Sequence, residues 1–163
     1  MRKTMKLHES PSPNARRVHV FMAEKGIDME RVPVDIRAGE NLTDEYRAKN
    51  PAGRVPCLEL DDGTYISESV AICRYLEGMN PEPNLFGKDA LEMATIEMWA
   101  RRVELNFMSE VAGAFRNITG FFKDRETCVE EWGQVCAEKA PKALEMFDAQ
   151  LADNAYLAGD RFT

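Results

Sequence analysis

The spacing of apolar residues changes near the middle of the 163-residue chain. In the first half, short apolar runs alternate with turn residues. The run "MKLHE" (5–9) has the length and alternation of a strand. "SPSPNARRVHVFMAEKG" (10–26) reads as a helix with both ends marked. Ser12 serves as N-cap, Pro13 suits the first helical position, Gly26 suits the residue just past the end, and Val18, Phe21 and Met22 share an apolar face. "MERVPVDI" (29–36) predicts a second strand, and its Pro33 points to a sheet edge or a bulge. Polar "RAGENLTDEYRAKN" (37–50) reads as a loop with one helical turn. "CLEL" and "TYIS" flank Asp62-Gly63 as a hairpin, and "SVAICRYLEGM" (69–79) is a second helix. Strand, helix, strand implies a right-handed parallel crossover, to which the hairpin adds antiparallel strands.

From position 88 the period is helical throughout. Leu91, Ile96, Trp99, Val103, Phe107, Val111 and Phe115 predict a long helix over 88–117, and Trp132, Val135, Ala143, Phe147 and Leu151 another over 126–151. Pro141 is expected to start, kink or interrupt the latter. The aromatic and Met content of this half reads as core. Turn-rich "NPEPN" (80–84) separates the halves, which gives an α/β domain over 1–80, a linker over 81–87 and an all-α domain over 88–163.

Composition narrows the function. Apolar residues make up 44%, enough for a core, and the net charge of −7 argues against nucleic acid and anionic membranes as partners. No apolar run approaches a membrane span and no secretory signal opens the chain, so a cytoplasmic location is expected. Cys57, Cys73, Cys128 and Cys136 form no C-x-x-C pair and only His8 and His19 accompany them. No metal is therefore expected, and the cysteines read as reduced thiols.

Candidate chemistry gathers at two points. Val55-Pro56 opens the first hairpin strand, where proline removes a ladder donor. Either Pro56 is an ordinary trans-proline on an edge, or it follows a cis bond and Val55 offers its main-chain groups to an extended ligand. Thirteen residues on, Glu68-Ser69 opens a helix. Ser69 is either a plain cap or part of an anion site made of helix N–H groups and a hydroxyl, with Glu68 suited to an ammonium.

The stretches "NPAGRVPCLEL" and "YISESVAICRYLE" together resemble the glutathione-binding half of cytosolic glutathione S-transferases; "SPSPNARRV" resembles the start of the first helix there, and "YLAGDRFT" the lead-in to a later helix. The resemblance covers the whole chain. It implies a thioredoxin-like N-terminal domain, an all-helical C-terminal domain, glutathione as co-substrate and a homodimer. It also implies that the family's chains continue past Thr163, so the helical domain is expected to be incomplete.

The resemblance assigns residues as well. Pro56 would be cis, Val55 would pair with the cysteinyl part of glutathione, Glu68 and Ser69 would hold its γ-glutamyl end, and Arg54 and Asn41 would lie near the glycyl end. Ser12 falls where serine-type members keep the hydroxyl that activates the thiol. Asn14 falls where others keep a cysteine, and Ser10 is a third candidate; Ser12 can also be an N-cap only. A small apolar electrophile would sit against Phe107, Met108, Val111 and Phe115, residues that equally suit a core. Conjugation is the expected reaction. Alternatives are glutathione-dependent reduction of disulfides or peroxides, an isomerase, whose Ser-Cys signature is absent, and a non-catalytic interaction protein on the same fold.

Overall fold

A computed structural model describes residues 5–163. The chain forms two compact units, one ending at Asn84 and one spanning Leu85–Thr163.

The first unit is built on a four-stranded sheet with strand order β2-β1-β3-β4. Strand β1 (Lys6–Glu9) leads into helix α1 (Pro13–Glu24), which returns the chain to β2 (Glu30–Pro33) in parallel beside β1. Pro33 is thereby at the outer edge, where its missing N–H costs no ladder bond. The hairpin of β3 (Cys57–Glu59) and β4 (Tyr65–Ser67) extends the sheet antiparallel on the other side of β1. Its turn closes through Gly63 N–H to Leu60 O at 3.0 Å, and Asp62 accepts from Thr64 N–H at 2.8 Å. Helix α3 (Ser69–Met79) follows β4 and packs on α1. Leu7, Val18, Met22, Leu58, Ile72 and Leu76 bury completely or nearly so between sheet and helices. Val18 and Met22 belong to the apolar face read from the sequence, and the other four lie in the strands and the helix that it marked.

Helix α1 begins and ends where the sequence places its signals. Ser12 is extended at the N-cap and accepts from Ala15 N–H at 3.2 Å, Pro13 opens the first turn, and Gly26 follows the end at a φ of 62°. Its C-terminal Lys25 is buried, with Nζ donating to the carbonyls of Asn80 at 2.8 Å and Pro83 at 2.5 Å and lying 2.5 Å from Glu77 Oε2. The residues 37–50 are more ordered than a loop with one turn. A 3₁₀ turn (Glu40–Leu42) precedes a six-residue helix α2 (Asp44–Lys49) capped by Thr43, whose hydroxyl oxygen accepts from Tyr46 N–H. The polar composition hid this helix because it buries one large side chain, Tyr46, and little else.

The second unit contains α4 (Ala90–Val103), α5 (Ser109–Thr119) and α6 (Glu130–Asp153). The expected single helix over 88–117 is broken in character by a π-helical stretch, Glu104–Met108, between α4 and α5. An extra residue per turn there shifts the apolar stripe of α5 relative to that of α4. Helix α6 runs from Glu130 to Asp153 with Pro141 inside it, so of the expected start, kink or interruption the first and the last do not occur. Its hold comes from close packing on α5. A Cβ on Gly113 would stand 2.7 Å from Cys136 Sγ, and one on Gly133 would stand 2.7 Å from Ile118, so both glycines let the helices approach. Trp99, Ala143 and Phe147 form the core of this unit with Val103 and Phe107 packed on it. Leu91, Val111, Phe115, Trp132, Val135 and Leu151, expected inside by spacing, are exposed. One helix–helix contact buries a narrower stripe than the sequence carries. No helix among the described residues is long and apolar enough to cross a membrane.

Candidate functional site

The loop carrying Val55 is held by buried amide and phenol groups. Asn50 Nδ2 donates to Arg54 O at 2.7 Å, and Tyr46 Oη donates to the same carbonyl at 2.9 Å. Asn41 Nδ2 donates to Gly53 O at 2.7 Å. Three side chains from α2 and its flanks thus seat residues 53–54 before the chain enters β3. Asn41, Asn50 and Tyr46 are buried, and burial raises the Tyr46 phenol well above its ordinary range, which keeps it a neutral donor. Gly53 takes a φ of 59°, and a Cβ there would stand 2.9 Å from the Asn41 carbonyl oxygen.

The Val55–Pro56 peptide bond is cis. The main-chain N–H and C=O of Val55 make no hydrogen bond among the described residues, and ladder pairing begins only at Cys57. Arg54 is exposed on the same loop.

At the other end of the hairpin, Glu68 precedes α3 with a φ of 69° and is the one non-glycine residue with positive φ among the described residues. No side chain caps α3, so the N–H groups of its first turn face outward from the helix end without a protein acceptor. Ser69 is buried, and its Oγ accepts from Arg17 Nη1 at 2.7 Å. That bond joins α3 to α1 five positions after Ser12. The axial rise between Ser12 and Arg17 is about 7.5 Å. A tripeptide spans roughly 10 Å when extended, longer than that stretch of α1.

The three candidates at the first helix differ in position. Ser12 is half-buried at the N-cap, with its oxygen engaged by Ala15 N–H and its proton uncommitted. Asn14 is exposed on the first turn, and Ser10 lies in the loop after β1. In the helical unit, Phe107 belongs to the core and meets Phe147 edge-on at 6.2 Å. Met108 closes the π-helical stretch. Val111 and Phe115 are exposed four residues apart on α5, hence on one face.

Arg17, Tyr46 and Asn50 escaped the sequence reading of the site. The one available signal was a basic residue in "ARRV" on the polar side of an amphipathic helix, which looks like any solvated arginine. His8 and His19 serve the scaffold: His8 is buried with Nε2 2.7 Å from Glu59 Oε2, and His19 pairs with Glu9.

A mixed β-α-β-α-β-β-α unit with an open helix tip and an unpaired backbone step before β3, followed by an all-helical unit, has the layout of a thioredoxin-like domain joined to a helical one. Residues 11–79 match the family described as "Glutathione S-transferase, N-terminal domain". Glutathione S-transferase 2 of Saccharomyces cerevisiae is 36% identical over 168 aligned positions, covering 100% of this chain and 72% of the yeast protein. Among solved structures, a glutathione S-transferase domain-containing protein of Marinobacter aquaeolei superposes with a TM-score of 0.92 at 40% identity, over 97% of this chain and 80% of that one. A glutathione S-transferase of class Gtt2 from Vibrio parahaemolyticus gives a TM-score of 0.84 at 42% identity, over 97% and 75%. The chain belongs to the glutathione S-transferase family.

Proposed function

We propose that this transferase binds glutathione along Val55, Glu68 and Ser69 and activates its thiol at the start of α1 for attack on small apolar electrophiles. The carrying observation is the Arg17–Ser69 hydrogen bond, which fixes the open tip of α3 against α1, the helix that Ser12 caps. The unpaired N–H and C=O of Val55 complement the cysteinyl peptide groups as a short antiparallel step would. The γ-glutamyl carboxylate meets the first-turn N–H groups of α3 and its positive dipole end, and the ammonium meets Glu68. Arg54, exposed beside Val55, is suited to the glycyl carboxylate. Asn41 acts through the loop, since its Nδ2 donates to Gly53 O.

Free thiols ionise near pH 8.5, and the thiolate is the nucleophile. Ser12 donates its uncommitted proton to sulfur while its oxygen holds Ala15 N–H, and the N-terminus of α1 adds partial positive charge. Together these supply on the order of 1–3 kcal/mol, or one to two pKa units of depression. Asn14 is the second donor and Ser10 the third. The thiolate then attacks an electrophilic carbon, the carbon–sulfur bond forms, and the displaced group leaves with the bonding pair. Met108, Val111 and Phe115 offer apolar surface suited to such an electrophile. A homodimer follows from the family and is tested by sedimentation against the 18.5 kDa chain mass.

The test is calorimetric titration with glutathione, followed by turnover of a chromogenic aryl halide. Micromolar-to-millimolar binding with glutathione-dependent turnover is expected. Binding without turnover on any aryl halide, peroxide or disulfide would leave the interaction-protein reading in its place.

A further inference from the structure

The end of the sheet away from Val55 carries a second opening. Strand β1 enters the sheet after Met5 and leaves toward Ser12, and the antiparallel β3 leaves beside that entry, since Glu59 pairs with Lys6. The turn after β3 and the loop before β2 therefore come together around Met5. A cleft of about 400 Å³ lies there, within the first unit. That volume falls in the range of roughly 300–1,000 Å³ typical of small-molecule sites. Met29, Leu60 and Met79 give it apolar walls, Tyr75 adds a phenol ring, and Asp28, Asp61 and Asp62 line it with carboxylates. Helix α3 separates this cleft from the glutathione site. Its first residue, Ser69, belongs to one and its last, Met79, lines the other, about 15 Å away along the axis.

Among the described residues, no lysine or arginine lines the cleft. Asp28 and Asp61 pair with no cation there, and Lys6, next to Met5, is taken by Glu30, next to Met29. Like charges around one opening repel, and a cation between them relieves the repulsion. The carboxylates do not converge as metal ligands do: no group of three His, Cys, Asp or Glu among the described residues could hold an ion. The apolar walls suit a hydrocarbon body instead. Methionine side chains adapt to the shape of such a body, and the face of the Tyr75 ring attracts an ammonium. We propose that this cleft binds a small organic monocation, an amine carrying an aryl or alkyl body. It shares no residue with the glutathione site and does not depend on that reading.

The test titrates the full chain with 4-phenylbutylamine, and with 4-phenylbutanol and 4-phenylbutyrate as its neutral and anionic matches, and follows amide shifts by NMR. The amine is expected to bind at least about tenfold more tightly than the alcohol, and the acid not at all, with shifts at Met29, Leu60, Asp61 and Met79. D28N and D61N should each weaken the amine about three- to fivefold, the scale of an exposed ion pair, and leave the alcohol unchanged. Asp62 is kept, because it accepts from Thr64 N–H in the hairpin turn. Met79→Ser should weaken amine and alcohol alike. Circular dichroism confirms that each variant is folded. Saturating glutathione should leave the amine affinity unchanged, and the titration without it reads the cleft even if the glutathione reading fails. Equal binding of amine and alcohol, no binding of either, or an amine affinity unchanged in D28N/D61N overturns the proposal. Shifts confined to Val111 and Phe115 overturn the location. A gain of more than about twofold in R2Q/K3Q would mean that the chain's own basic residues compete for the cleft, and would overturn it as a ligand site.

Discussion

Asn50 Nδ2 lies 2.7 Å from the carbonyl oxygen of Arg54, four residues on, and so holds the backbone immediately before Val55. The same side chain accepts from Ala52 N–H through Oδ1 at 3.2 Å, which closes the turn from both sides. Asn50→Ala removes both bonds from a buried position. A stability loss of about 1–3 kcal/mol is expected, with a raised KM for glutathione and a smaller change in kcat. Urea unfolding and steady-state kinetics check it. Gly53→Ala should act in the same direction, because its Cβ would press on the Asn41 carbonyl at 2.9 Å in a left-handed conformation.

Ser12→Ala separates capping from chemistry. Loss of the cap costs about 1 kcal/mol, whereas loss of the sulfur donor raises the pKa of bound glutathione. Thiolate absorbance of the complex, followed against pH, should shift upward by about one unit. Asn14→Ala is expected to shift it less. An unchanged titration in Ser12→Ala would remove that hydroxyl from the mechanism.

Glu68 combines a positive φ with the ammonium contact proposed above. A non-glycine residue at a φ of 69° carries backbone strain that Glu68→Gly relieves. After the added freedom of the unfolded glycine, a net gain on the order of 1 kcal/mol in stability is expected. Glutathione affinity should fall in the same variant, because the carboxylate facing the ammonium is gone. Thermal melts paired with calorimetry read both.

Lys25 has a wholly buried side chain whose ammonium meets two carbonyls and Glu77. Lys25→Met strips Glu77 of this cation and both carbonyls of a donor, and should cost about 3–5 kcal/mol. The denaturation midpoint should drop sharply, with turnover per folded molecule nearly unchanged.

Alkaline pH should unfold the protein through its buried thiols. Burial pushes Cys57 and Cys73 from an ordinary 9.0 to about 11 each. The folded state then holds protons that the unfolded state releases, so stability is complete below pH 9 and falls as pH rises toward 11. Cys73→Ala is expected to flatten that slope between pH 9 and 11 in urea midpoints. Neither thiol should react quickly with Ellman's reagent at pH 7, while the less buried Cys128 should.

Element order, both ends of α1, the edge position of Pro33 and the hairpin turn were all legible in the sequence. Each depends on local chemistry: Ser12 bonds three residues ahead, Gly26 relaxes its own φ, and Pro33 lacks its own N–H. Glu68-Ser69 was legible as a helix start, but Ser69 is not the plain cap the sequence offered: no side chain caps α3, and the Ser69 Oγ accepts from Arg17. What the sequence by itself determined is therefore the set of pieces, together with the residue types at the binding loop and helix tips. The tertiary structure alone decided that Arg17 reaches Ser69 across 52 positions, that Asn41, Tyr46 and Asn50 turn inward to hold residues 53–54, and that Val111 and Phe115 stay exposed while Phe107 is taken into the core. Those outcomes depend on which helix faces meet, and the direction of a long polar side chain is fixed only once a neighbour remote in sequence supplies its acceptor.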